Sequence, residues 1–259
     1  IERSLRFNSA DSAYLNRTPA AAGNRKTWTL SFWIKRSKFG TNQDLFMAYG
    51  GSISEDNYAV IGFNTVDRIA FGYAYATYKQ PSRFLRDPSA WYHIVVAVDT
   101  TNSTAGDRVK IYINGEQQSD FSATHDPDLN QDLAFNRNIL HNFGSEYNQR
   151  YSDAYFAEVH LIDGQALAPT DFGEFDDNNV WQPKAYSGTY GTNGFHLNFA
   201  DNSTVSALGT DTSGNSNNFT PNNFSVTAGV GNDSLVDTPT SYGSDTGAGG
   251  EVRGNYATL

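Results

Sequence analysis

Nine residues, Thr27-Trp28-Thr29-Leu30-Ser31-Phe32-Trp33-Ile34-Lys35, alternate strictly enough to constrain everything around them. At period two, Trp28, Leu30, Phe32 and Ile34 fall on one face, with Thr29, Ser31 and Trp33 on the other. That is a strand with one large apolar stripe, which needs a second layer to cover it. Similar runs occupy 44–49, 58–63, 68–75, 91–99, 109–113 and 154–162, with shorter pieces near residues 4–8 and 13–15. Gly, Asn, Asp or Pro separates most of them, which predicts antiparallel pairing through hairpins. The composition agrees: 15 Tyr and 17 Phe suit strands, while only 18% of residues are charged and amphipathic helix formers are scarce.

Asn114-Gly115 is a hairpin tip, because both residues tolerate the positive φ angles of a type I′ turn. Only 168–175 reads as helical, for barely two turns. From about residue 178 the texture changes, and 186–250 is dominated by Gly, Ser, Thr and Asn. The expected organisation is therefore a β-sandwich over 1–178 and an extension over 179–259. The extension either adds strands to the sandwich or forms an arm to a partner chain or a following domain.

The charge balance, 18 Lys+Arg against 28 Asp+Glu, repels phosphate backbones and anionic lipid, so no nucleic acid and no membrane insertion is expected. The absence of Cys removes disulfides, thiolate metal sites and Cys nucleophiles. The five His residues (93, 125, 141, 160 and 196) lie far apart, without His-x-His or His-Glu-x-x-His spacing, and His93 and His160 read as structural. The seven Glu include no run of alternating acids of the kind that places a glucanase's two carboxylates. No catalytic residue is assigned, and an enzyme is not expected.

A sugar site combines an aromatic platform with planar amides or charged groups. Two segments have that make-up. In one, Tyr73, Tyr75 and Tyr78 precede Gln80 and Arg83; the other holds Tyr147, Asn148, Arg150 and Tyr151. For each, packing within the sheet or against another subunit is the competing reading. Trp28, Phe32, Trp91 and Trp181 read as core.

The order of segments resembles a known family. Ser4-Leu5-Arg6-Phe7, the strand Thr27–Lys35, Trp91-Tyr92-His93-Ile94-Val95, Tyr112-Ile113-Asn114-Gly115 and Phe156-Ala157-Glu158-Val159-His160-Leu161 are similar to landmarks of the laminin-G-like, concanavalin A-like lectin superfamily. The resemblance covers about residues 4–175. It implies an all-β jelly-roll sandwich of antiparallel strands with a binding role. No cofactor is required; calcium is the ion the resemblance admits, with Asp56 and Asn57, Asp126 and Asp128, and Asp153 as candidate groups.

Beyond it, 194–199, Asp211-Thr212-Ser213-Gly214-Asn215 and 229–239 resemble segments of virion proteins of tailed bacteriophages. This implies a tail-fibre or other appendage protein on the virion surface, self-associated as a homotrimer with other virion proteins and recognising host-surface glycan. A purely structural decoration protein and a polysaccharide depolymerase are the alternatives.

Overall fold

The computed structural model describes residues 1–73, 76–147, 149–240, 251–253 and 256–258. The chain runs through β1 (Ser4–Phe7), β2 (Tyr14–Arg17), β3 (Thr27–Arg36), β4 (Gln43–Tyr49), β5 (Tyr58–Phe63), β6 (Ile69–Tyr73) and β7 (Ala76–Pro81). It continues through β8 (Trp91–Asp99), β9 (Val109–Ile113), β10 (Glu116–Gln117), β11 (Phe121–Thr124), β12 (Leu140–Phe143) and β13 (Ala154–Asp163). Short strands follow: β14 (Gly173–Phe175), β15 (Trp181–Pro183), β16 (Phe195–Leu197), β17 (Thr220–Asn222) and β18 (Ser234–Leu235), then a separate pair, β19 (Glu251–Arg253) and β20 (Tyr256–Thr258).

Two large antiparallel sheets make a sandwich of the concanavalin A-like type. The first has the order β10-β9-β8-β3-β13-β1-β18, with β16 also paired to β13; the second has the order β11-β7-β6-β5-β4-β12-β2-β17. The core lies between them. Trp28, Leu30, Phe32 and Ile34 are fully buried there, as the period-two stripe of β3 requires. Trp28 meets Phe71 and Phe135 edge-on, at 5.5 and 5.1 Å between ring centroids, which ties the two sheets together.

The other face of β3 is also covered. Trp33 packs with Trp91, Ala157 and Trp181 in a second apolar cluster on the outside of the first sheet. Trp181 arrives there on the small β14–β15 hairpin. The Asn114-Gly115 turn has φ values of +51° and +82°, as a type I′ hairpin demands. Gly115 has a second reason to be glycine, since a Cβ there would lie 2.6 Å from the Trp181 ring.

The helical expectation for 168–175 is not met. Pro169–Asp171 forms a single 3-10 turn, and Gly173–Phe175 pairs with Trp181–Pro183 as a strand. Two residues after that turn, backbone pairing replaces any continuing helical bonds. Among the described residues no helix is long and apolar enough to cross a membrane.

The extension enters both sheets: β16 pairs with β13, β17 with β2, and β18 with β1. Its side chains Phe195, Leu197, Phe199, Leu208, Phe219 and Phe224 join the main core.

Candidate functional site

On the second sheet the strands β5 and β6 send Ala59, Ile61, Phe63, Ile69 and Phe71 inward. Four of their outward positions carry little bulk, Val60 and Gly62 on β5 and Ala70 and Gly72 on β6, while Tyr58 at the start of β5 turns its hydroxyl to Glu146. Gly62 stands opposite Ala70, and Val60 opposite Gly72. Small outward residues leave a floor rather than a ridge. Polar side chains rise around it, so that Asn42, Asp44, Asn64, Gln80 and Arg150 line a cleft of about 160 Å³. That is below the range of about 300–1,000 Å³ usual for enclosing small-molecule pockets, and it describes an open groove.

Asp44 is the unusual member. It is 5% exposed, its Oδ2 has no hydrogen-bond partner, and the nearest cation, Arg150 Nη1, stands off at 3.8 Å. Burial and the neighbouring Glu146 carboxylate push its pKa up from 3.8 to about 7, with Arg150 opposing them. A Cβ on Gly62 would meet Asp44 Oδ1 at 2.9 Å, so the glycine gives the carboxylate its place at the wall.

Behind Asp44, Glu146 accepts from the Tyr58 hydroxyl and, at 3.1 Å, from Arg150 Nε. The loop that carries these groups is tied to β4 by its backbone, Asp44 N–H donating to Arg150 C=O at 3.0 Å. On the opposite wall Asn64 Nδ2 donates to Gln80 Oε1 at 3.0 Å, which fixes both amides. The cleft thus offers amides that both donate and accept and a guanidinium that donates, beside a carboxylate whose Oδ2 is unpartnered and buried in the wall.

The eight residues singled out from the sequence are scattered. Arg150 lines the cleft. Tyr147, on the same loop, is exposed and packs its ring 5.1 Å from Tyr49. Tyr151 is half-buried beside Tyr14, with 6.2 Å between ring centroids. Tyr78 faces the interior, its ring 5.4 Å from both Phe71 and His125, because a register irregularity between β6 and β7 turns it into the core. Arg83 projects from the connection after β7 and lies 3.4 Å from Glu116, away from the cleft lining. Tyr73 closes β6 by pairing with Ala76. Tyr75 and Asn148 lie outside the described residues.

Asp44, Asn42 and Asn64 were not anticipated. The readable signal was the low bulk at outward positions of two paired strands, with an acid near the head of the strand before them.

Of the groups named for calcium, three already face basic side chains. Asp126 meets Lys79 at 2.8 Å, Asp153 meets Lys38 at 3.2 Å, and Asp56 meets Arg137 at 3.6 Å.

Residues 8–171 match the family described as the concanavalin A-like lectin/glucanases superfamily. No curated protein matches the sequence. Among solved structures, the chain is similar to a putative carbohydrate binding protein from Bacteroides ovatus. The identity is 13% and the TM-score 0.50, over 86% of this chain and 58% of that one. The chain therefore spans little more than half of that relative's length. A heptameric pentraxin from Limulus polyphemus is matched at 12% identity and a TM-score of 0.44, over 64% of this chain and 78% of that one. Domain 4 of a GH43 extracellular arabinanase from Geobacillus stearothermophilus, in complex with arabinotriose, is matched at 19% identity and a TM-score of 0.40. That match covers 57% of this chain and 65% of the domain.

These findings correct the expectation that the chain is not an enzyme. The matched family holds glucanases as well as lectins. Missing acid motifs on one strand do not set catalysis aside, because carboxylates such as Asp44 and Glu146 meet in space from separate segments. With more than half of its length matched, the chain belongs to the concanavalin A-like lectin/glucanase superfamily.

Proposed function

We propose that this chain is a carbohydrate-binding module displayed on a virion surface, as part of a tail fibre or similar appendage, and that host-surface glycan is held in the cleft over β5 and β6. The glycan reading is carried by the free, buried Oδ2 of Asp44 at the wall of that cleft. A buried carboxylate oxygen without a partner is costly, and a sugar hydroxyl supplies the missing donor once a side chain lining the cleft, such as the half-exposed Arg150, moves aside. The small-residue floor lets a flat ring approach, while Asn42, Asn64, Gln80 and Arg150 meet its hydroxyl rim. The virion setting is supported by the similarity of 194–199, 211–215 and 229–239 to bacteriophage appendage proteins. A shallow cleft of this kind gives weak single contacts, so the proposal includes a homotrimer in which avidity makes them useful.

The experiment is a glycan array probed with the intact chain and with Asp44→Asn and Arg150→Ala. Retention of a defined set of glycans by the wild type, weakened about tenfold or more in each variant, is expected from loss of a charged hydrogen bond. A silent array, with the chain folded and self-associated, overturns the glycan reading in favour of a structural decoration role. Release of reducing ends from a bound polysaccharide would instead make the cleft part of a depolymerase.

A further inference from the structure

The outer face of the first sheet holds a second cluster, remote in the fold from the cleft. β13 carries a bulge between Ala157 and His160 where it passes β3. Phe156 and Val159 both remain in the core, so Glu158 is the extra residue, and its backbone sits at φ +47°. An L-residue in that region is strained, and bulges of this kind re-aim a side chain. Here the re-aimed group is a carboxylate, placed on the face that already carries His160. Opposite His160 in register stands His196 of β16.

The three side chains converge. Glu158 Oε2 lies 2.8 Å from His196 Nε2 and 3.6 Å from His160 Nε2, and one ligand atom from each residue falls within 4.8 Å of the others. The far nitrogens are held by hydroxyls: His160 Nδ1 by Tyr190 at 2.9 Å, and His196 Nδ1 by Thr212 at 2.9 Å. The Thr212 hydroxyl also donates to the His196 carbonyl at 3.1 Å. A hydroxyl has one proton and a carbonyl can only accept, so His196 Nδ1–H is the donor to Thr212 and its Nε2 faces the Glu158 carboxylate, where either a proton or a metal ion can join the two.

We propose that Glu158, His160 and His196 bind one divalent transition metal ion of the zinc class. Two imidazoles and one carboxylate are a donor set such ions accept, and hydroxyls on the outer nitrogens are the second layer that orients metal-bound histidines. Bond lengths of about 2.0–2.2 Å place tetrahedral ligand atoms about 3.3–3.6 Å apart, so the 3.6 Å spacing already suits an ion and the 2.8 Å one must open to admit it. The two rings stack 14° from parallel at 4.1 Å, so they must splay to bring both nitrogens onto one ion. Glu158 and His196 retain about a fifth of their side-chain surface in solvent, which leaves an entry path and room for a water ligand. Because His196 belongs to the extension and the other two ligands to β13, the ion staples 179–259 to the sandwich.

The test is zinc titration of the chelator-treated intact chain, beside Glu158→Gln, His196→Asn and Tyr190→Phe. One zinc per chain is expected, with affinity lowered about a hundredfold or more in the two ligand variants and about 10–100-fold in Tyr190→Phe. Cobalt(II) loaded into the wild type should give the visible bands of a four- or five-coordinate site with imidazole ligands. Equal, weak zinc affinity in the wild type and all three variants, or a wild-type cobalt spectrum matching the hydrated ion, would overturn the proposal.

Discussion

Asp44 sets two opposed pH dependences. With its pKa raised from 3.8 to about 7, the folded chain keeps a proton that the unfolded chain has released between those values. Stability therefore falls as pH rises from about 4 to about 7 and is level above that, as far as this group decides it. Glycan affinity should move the other way, because Oδ2 becomes the stronger acceptor once the carboxylate ionises. Asp44→Asn should flatten both profiles and raise stability at pH 8, by at most about 4 kcal/mol. Melting temperature and dissociation constant, each followed across this range, are the measurements. A glycan affinity that is level from pH 6 to 8 in the wild type would remove Asp44 from recognition. Trp28 is the contrasting residue: fully buried between Phe71 and Phe135, with an indole N–H that has no partner. Trp28→Ala should cost about 3–5 kcal/mol, and Trp28→Phe less than half of that, since it also removes the unpaired N–H. Urea denaturation distinguishes them. Trp28 was legible in the sequence because burial follows from its place in a period-two stripe. Asp44 was not, because its free oxygen depends on Gly62, Glu146 and Arg150, which reach it from other segments.

At the scale of elements, strands with one apolar stripe were readable almost to the residue. The boundaries of β5, β8 and β9 coincide with their apolar runs; burial alternates along β9, whereas both faces of β8 are covered. Segment 168–175 was misread because its composition suits a short helix while its backbone finds partners in β15, far enough along the chain to leave no local signal. The bulge in β13 was equally invisible. His160 and His196 are 36 positions apart in sequence, and only the pairing of β13 with β16 sets them side by side. The aromatic-rich stretch around β6 and β7 misled for a similar reason, as the register irregularity there sends Tyr78 inward. What β5 and β6 contribute to the cleft is their lack of bulk. Ala70 sits outward on the floor, half-exposed, opposite Gly62. Ala70→Leu should fill the cleft without entering the core, so its stability to urea should stay within about 1 kcal/mol of the wild type while glycan binding is lost. Unchanged binding would place the ligand elsewhere on the molecule.

For the whole molecule, the extension decides whether the sandwich is self-sufficient. Residues 195–235 close gaps on both sheets, β17 at the edge of one, β18 at the edge of the other, and β16 beside β13. Phe195 packs 4.8 Å from Phe219 and 6.2 Å from Phe46, and Phe224 meets Phe7 edge-on at 5.0 Å. Six large apolar side chains of the extension are in the core, at about 1.5–3 kcal/mol each. Their combined loss is on the scale of a domain's entire stability, about 5–15 kcal/mol. Removal would also bare the edges of β1 and β2, which then offer unpaired backbone to other chains. A chain cut after residue 178 is therefore expected to aggregate or bind apolar dyes. A chain cut after residue 240 keeps β1–β18 and loses only the β19–β20 pair, which joins neither sheet among the described residues. That second chain should melt as the full chain does. The contrast separates an extension that completes the fold from one carried as a passenger. If 1–178 melted cooperatively at the full chain's temperature, the buried extension residues would be contributing nothing, and the metal cluster that joins β13 to β16 would lose its structural purpose as well.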